Sequence, residues 1–180
     1  MSEVVKLHFV VDGEDFTSAG QASVQIKKNL RQLGIAPEII RKVSIAMYEG
    51  EINMVIHAGG GEADVTISED HIEIRLADRG PGIANIDLAM QEGFSTAPDN
   101  IRSLGFGAGM GLPNMKRYTD SMQINSTLGE GTEIIVELEM NSGICRYGTQ
   151  IYEYGSLPDM FLALGIEQWP DAVLEEFGFN

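Results

Sequence analysis

The sequence predicts an α+β fold, a two-layer α/β sandwich with one mixed sheet and helices packed on one face. Three observations carry that expectation. The periodicity runs β-α-α-β-β, then a long loop, then α-β-β, which is not the repeated βαβ of a doubly wound sheet. Glycine-rich punctuation separates the segments, at Gly59-Gly60-Gly61, Gly80-Pro81-Gly82 and Gly129-Glu130-Gly131. Hydrophobic residues make up 43% of the 180, enough for a packed core, so wholesale disorder is excluded.

Each element has its own justification. Residues 4–11 are rich in β-formers and end in the turn-like Asp12-Gly13-Glu14-Asp15. From about residue 17 to 33, Ala22, Ile26, Leu30 and Leu33 recur at helical spacing, and Gly34 stands where a C-terminal cap belongs. Pro37 opens a second helix over about residues 38–58, with Ile39, Val43, Ala46, Met47 and Ile56 as its apolar side. Gly50 inside it costs about 1 kcal/mol against Ala, so either a neighbour packs closely there or the cost is tolerated. Strands over 63–68 and 72–77 meet through Glu69-Asp70-His71. A long region bearing Gly, Asn and Asp runs from 78 to 111, with a short helix over 86–91 and a mobile loop over 95–109. A helix over 112–119 and strands over 121–126 and 132–140, joined by Leu128-Gly129-Glu130-Gly131, complete the pattern.

Composition divides the chain into 1–140 and 141–180. The second part has one basic residue, Arg146, against six acidic ones, and holds seven of the aromatics. It reads as an acidic, aromatic-rich extension with short helices, one starting at Ser156-Leu157-Pro158-Asp159 and another at Trp169-Pro170-Asp171. Its aromatics either pack back on the same molecule or dock a partner. With 12 Lys+Arg against 27 Asp+Glu, the net charge of −15 argues against a nucleic-acid binder, which needs a basic face. It does not exclude a bound nucleotide, because remote charge is screened over ~8–10 Å. No apolar run approaches the ~20 residues of a membrane span, and the first residues lack a signal-peptide pattern. The single Cys145 cannot form an internal disulfide, which with these points predicts a cytoplasmic protein.

Four clusters could carry chemistry. Glu49, Asn53 and His57 fall at i, i+4 and i+8, on one polar stripe of the second helix. An amide oxygen there can ligate Mg²⁺, and a carboxylate one turn away can orient or deprotonate a nucleophile. Glu51 points to a different side. Asp78-Arg79-Gly80-Pro81-Gly82 leaves a strand: its Asp can accept from an exocyclic amine, and its glycines let a flat ring approach. Gly105-Phe106-Gly107-Ala108-Gly109-Met110-Gly111-Leu112 runs into a helix, so its N–H groups can cradle an anion. Without a terminal Gly-Lys-Ser/Thr it is not a Walker A loop. Gly129-Glu130-Gly131-Thr132 is a plain turn or a means of placing a hydroxyl beside Asp78.

In order and spacing, Glu49-x-x-x-Asn53, Asp78-x-Gly80-x-Gly82, Gly107-x-Gly109-x-Gly111-Leu112 and Gly131-Thr132 resemble the GHKL ATPase superfamily with its Bergerat nucleotide-binding fold. Residues 46–61 and Gly93-Phe94-Ser95-Thr96-Ala97 are similar to its branch of anti-sigma-factor and switch-protein serine kinases. The resemblance spans about residues 3–140. It implies that Glu49 is the general base and that Asn53 ligates Mg²⁺ on ATP. It implies that Asp78 bonds the adenine amine, supported by Thr132, while Gly80 and Gly82 let the adenine lie close. Gly107, Gly109 and Gly111 would form the hinge and phosphate-binding end of a lid over about 94–109, with Leu112 among the nucleotide-binding residues. His57 acquires no role beyond capping or core. The sensor histidine kinases fit worse, because His8, His57 and His71 lie outside any dimerising helical hairpin. The implied function is an ATP- and Mg-dependent protein serine/threonine kinase that phosphorylates a STAS-type antagonist protein. A sigma factor, a phosphatase and a second copy of the chain are further implied partners. The alternatives are an ATP-gated binding module that sequesters a sigma factor or other regulator, and an adaptor with a decayed site.

Overall fold

The structure is a computed structural model that describes residues 4–14, 19–103, 105–140, 143–147 and 150–154. By chain contacts it divides into two units, residues 1–140 and 141–180. The first unit contains β1 (Val5–Asp12), α1 (Gln21–Gln32), α2 (Pro37–Ala58), β2 (Gly60–Ile67) and β3 (His71–Ala77). Then come the short α3 (Ile86–Ala89) and α4 (Asp99–Ser103), followed by α5 (Gly111–Tyr118), β4 (Ser121–Thr127) and β5 (Gly131–Glu139). The second unit contains a hairpin of β6 (Gly143–Tyr147) and β7 (Gln150–Tyr154), which the sequence pattern did not suggest. The helices expected from Ser156 onward lie outside the described residues.

The five strands of the first unit are ordered β1-β2-β3-β5-β4, and every neighbouring pair is antiparallel. The expected mixed sheet is therefore corrected to an antiparallel one, for two reasons. Between β1 and β2 the chain makes a two-helix excursion and re-enters beside its exit: Asp12 pairs with Gly60. Gly13 there lies so close to the Gly59–Gly60 backbone that a Cβ could not fit. Between β3 and β4 the chain crosses over through the short α3, α4 and α5, and these two strands do run parallel to each other. However, β5 inserts between them and is antiparallel to both, so no parallel pair forms.

Strand alternation separates a buried face from a wet one. Ile72, Ile74 and Leu76 of β3 and Ile134, Val136 and Leu138 of β5 are buried, with Val65 and Ile67 of β2 beside them. Ile26 and Leu30 of α1, Val43, Ala46 and Met47 of α2, and Met115 of α5 complete the core. Each of these Val, Leu, Ile and Met side chains removed from water contributes about 1.5–3 kcal/mol, which holds the helices on that face. The apolar side of α2 turns further than its spacing suggested: Ile40, Met54 and Val55 are buried, whereas Ile39 and Ile56 are half-buried.

The opposite face carries a polar chain across all five strands. His8 of β1 bonds Asp64 of β2 at 2.7 Å, and Asp64 meets Arg75 of β3 at 3.3 Å. The Arg75 guanidinium donates to Glu133 of β5 at 2.6 Å, and Asn125 of β4 donates to Glu133 at 3.2 Å. Hydrogen bonding to Asp64 raises the His8 pKa above its ordinary value.

Candidate functional site

Helix α2 supplies the first wall. Pro37 starts it, and Gly59, at φ 69°, ends it in the left-handed conformation that glycine tolerates. The mid-helix Gly50 has a packing reason: any Cβ there would run into the Leu76 side chain, so the glycine lets α2 lie close on β3. That approach presents Glu49, Asn53 and His57 to one cavity. Glu51, two residues past Glu49, faces the other way and is only 2% exposed. Its two carboxylate oxygens accept the Ala22 and Ser23 N–H groups, each at 3.1 Å. Glu51 thus caps α1, whose own N-cap, Gly20, has no side chain to do so. Helix α1 starts at Gln21, later than the spacing of apolar residues indicated.

Strands β3 and β5 supply the second wall. Asp78 follows β3, and its Oδ1 accepts from the Gly80 N–H at 2.8 Å and the Thr132 N–H at 3.1 Å. The Asp78 N–H donates to the Thr132 carbonyl at 2.9 Å. These bonds fix the carboxylate and leave Oδ2 without a partner among the described residues. Gly131, at φ 130°, lies against the Asp78 carbonyl where a Cβ has no room. The Thr132 and Ser126 hydroxyls are 2.8 Å apart, and Ser126 also accepts the Ile83 N–H at 2.8 Å. Gly82 packs on the Thr127 carbonyl. Gly80 behaves differently from the sequence expectation. It does not border the cavity; its Cα faces Ala58, whose Cβ would stand 2.6 Å from an added Cβ. Gly80 serves the approach of the Asp78 turn to the end of α2.

The glycine run supplies the third wall. Gly105, Gly107 and Gly109 all have positive φ. The Gly93 N–H donates to the Gly109 carbonyl at 3.0 Å, and Gly107 is packed on Ala97. The loop ends where α5 begins at Gly111, whose Cα sits so close to Asn53 that a Cβ would be 3.1 Å from the amide. No side chain caps the N-terminus of α5. Its first N–H groups remain available to an anion. Part of the region expected to be a mobile loop is the five-residue α4.

The walls enclose about 560 Å³, within the ~300–1,000 Å³ of small-molecule sites. Glu49, Asn53, Asp78, Gly82, Gly107, Gly109, Gly111, Leu112 and Thr132 all border it. Apolar side chains, among them Ile52, Ile83, Leu88, Phe94 and Ile134, line the remainder and suit a flat ring.

A sequence profile of the histidine kinase-, DNA gyrase B- and HSP90-like ATPases matches residues 39–142, more than half of the chain. The chain belongs to this family. It is 34% identical over 118 residues to the serine/threonine-protein kinase RsbT of Bacillus subtilis (strain 168), a match spanning 63% of this chain and 83% of RsbT. It is 30% identical over 126 residues to an anti-sigma F factor of Clostridium beijerinckii, spanning 67% of this chain and 85% of that protein. The RsbU and RsbW domains of Rv1364c from Mycobacterium tuberculosis share the fold, with a TM-score of 0.52 at 16% identity over 74% of this chain and 32% of that one. The GHKL ATPase fold and its anti-sigma-factor kinase branch are therefore this chain's own.

Among the described lining residues none is Lys or Arg. No cluster of three or more His, Cys, Asp or Glu stands ready to hold a metal among the described residues. His57 keeps surface open to solvent, yet the protein around its ring lowers its pKa below the ordinary value, and nearby Asp78 only partly offsets this. Among the described residues no helix is long and apolar enough to cross a membrane. One contact escaped the sequence reading: the Asn114 side chain, in α5, donates to Glu49 Oε1 at 2.7 Å. The run Gly111-Leu112-Pro113-Asn114 gives no local sign of it, since the partner is 65 positions away.

Proposed function

We propose that this chain is an ATP- and Mg²⁺-dependent protein serine/threonine kinase, a regulatory switch whose substrate is a STAS-type antagonist protein. The observation that carries the reading is that Glu49 and Asn53, one turn apart on α2, open on the same cavity as Asp78 and the glycine loop. Phosphoryl transfer asks little covalent chemistry of a protein, so position and charge decide it. Asp78, held through Oδ1, offers Oδ2 to the adenine amine, with Thr132 beside it. The uncapped N-terminus of α5 and the Gly107–Gly111 backbone receive phosphate oxygens. Glu49 accepts the proton of the incoming serine or threonine hydroxyl.

The site fits a magnesium ion shared with the nucleotide. The Asn53 amide makes no hydrogen bond among the described residues, so its oxygen is available to a hard cation that keeps waters and phosphate oxygens as its other ligands. Mg²⁺ would neutralise phosphate charge that no Lys or Arg among the described lining residues offsets. The kinase domain in this reading is 1–140, with 141–180 as an extension.

Incubation with [γ-³²P]ATP, Mg²⁺ and the STAS-domain protein encoded nearest to this chain should label a serine or threonine of that protein. Glu49→Ala should abolish the label and leave nucleotide binding in place. Undiminished transfer by Glu49→Ala would eliminate the base.

A second reading has its own support in the relatives named anti-sigma F factors. In it, ATP gates sequestration of a sigma factor and catalysis is incidental. Capture of a sigma factor that survives Glu49→Ala, together with no labelled acceptor, would favour it.

A further inference from the structure

Helices α2 and α5 meet in a fixed register. Gly111, the first residue of α5, lies against the Asn53 amide, and Asn114, one turn on, reaches Glu49. Two positions four apart on α2 thus face two positions three apart on α5, in opposite chain directions. Pro113 and Met115, on either side of Asn114, are both buried and hold α5 down. The contact between Asn114 and Glu49 is 2.7 Å long and partly buried.

Its chemistry is specific. A carboxylate can only accept, so the Asn114 amide must turn its nitrogen toward Glu49. Glu49 Oε1 is occupied by that bond, while Oε2 has no partner among the described residues. A neutral donor therefore orients the carboxylate without cancelling its charge. A Lys or Arg in the same place would form an ion pair and compete with a proton for the carboxylate.

We propose that Asn114 is a positioning residue for phosphoryl transfer: it holds Glu49 with one oxygen fixed and the other aimed at the acceptor hydroxyl. The proposal rests on the reading of Glu49 as the base. In the step itself the hydroxyl oxygen bonds the γ-phosphorus as the bond to the ADP oxygen breaks, and the hydroxyl proton passes to Glu49 Oε2. Asn114 itself does not border the cavity. Because it lies in the same first turn as Gly111, the seating of the glycine loop and the aim of the base are set by one piece of helix.

The test compares wild type, Asn114→Ala and the near-isosteric Asn114→Asp, as full-length chains, using [γ-³²P]ATP, Mg²⁺ and the neighbouring STAS-domain protein. Asn114→Ala should lower kcat by roughly tenfold to a hundredfold, with KM for ATP within about twofold and an unchanged unfolding midpoint. Asn114→Asp sets a second carboxyl against Glu49, and two carboxyls that close share a proton. Its rate should be depressed at pH 6 and recover as the pH rises, whereas a purely structural defect would lower the whole profile in parallel. Wild-type kcat in Asn114→Ala, or a parallel profile in Asn114→Asp, overturns the inference while leaving Glu49 as the base. A wild type that binds Mg-ATP and labels no acceptor overturns the kinase reading itself, and this inference with it.

Discussion

The two long walls of the cavity are built on different principles. The strand-side wall joins residues far apart in sequence through closed hydrogen bonds: Asp78 to Thr132, Ile83 to Ser126, Gly129 to Pro81. It is part of the sheet and cannot shift without breaking it. The loop-side wall closes on itself, Gly93 on Gly109 and Gly107 on Ala97, and meets α2 where Gly111 faces Asn53 and Asn114 reaches Glu49. Such a loop can change position as a body with few bonds lost. On this account the fixed wall reads the base and the self-contained wall follows the phosphates.

Substitutions on the two sides should therefore fail differently. The largest effect belongs to Gly131→Ala. Its φ of 130° and its contact with the Asp78 carbonyl leave no room for a side chain. Strain and overpacking together should cost about 2–4 kcal/mol, a drop of roughly 5–15 °C in the unfolding midpoint, with nucleotide binding lost alongside. Gly109→Ala, equally crowded against Phe94, should leave the midpoint within about 3 °C. It should still weaken Mg-ATP by about tenfold, or ~1.4 kcal/mol. Calorimetry and nucleotide titration of both variants separate the two modes; equal losses of midpoint would erase the distinction between the walls.

Next comes a contrast within α2. Glu49 and Glu51 are two residues apart, yet one faces the cavity and the other holds α1 by two backbone N–H groups. Glu51→Gln keeps one acceptor and should destabilise the fold by about 1.5–3 kcal/mol, without the catalytic loss of Glu49→Ala. Denaturant unfolding gives the first number, and transfer assays on the folded variant give the second.

The smallest effect is the pH response of His57. Its pKa is lowered in the folded protein. The unfolded chain therefore binds more protons just below pH 6.5, and folding stability falls as the pH drops from 6.5 toward the folded value. Above 6.5 both states are neutral and the contribution vanishes. Denaturant titrations of wild type and His57→Gln between pH 5 and 8 should converge at the top of that range and separate at the bottom.

Local patterns made much of this architecture legible. The i, i+4, i+8 spacing of Glu49, Asn53 and His57 placed them on one side of a helix, and all three border the cavity. Residues 72–77 read as a short strand beside a hairpin turn, and Pro37 and Gly59 bracketed α2. What escaped was set by distant partners. The sheet is antiparallel because β5 enters between β3 and β4, and strand order is not written in the alternation of any one strand. Gly80 faces Ala58 rather than the cavity because α2 ends beside the Asp78 turn. The work of Glu51 and the reach of Asn114 each depend on a residue in another helix. The late start of α1 follows from Gly20, a glycine cap that gave no side-chain signal.

A cavity with no Lys or Arg among its described lining residues should hold a triphosphate only when magnesium shares the charge. Isothermal titration of ATP into the full-length protein, once in excess Mg²⁺ and once in EDTA, tests it directly. The expected result is one site per chain in Mg²⁺, an affinity at least about tenfold weaker in EDTA, and no measurable binding by Gly131→Ala in either buffer. Equal affinity in both buffers, or no heat in either, would contradict it.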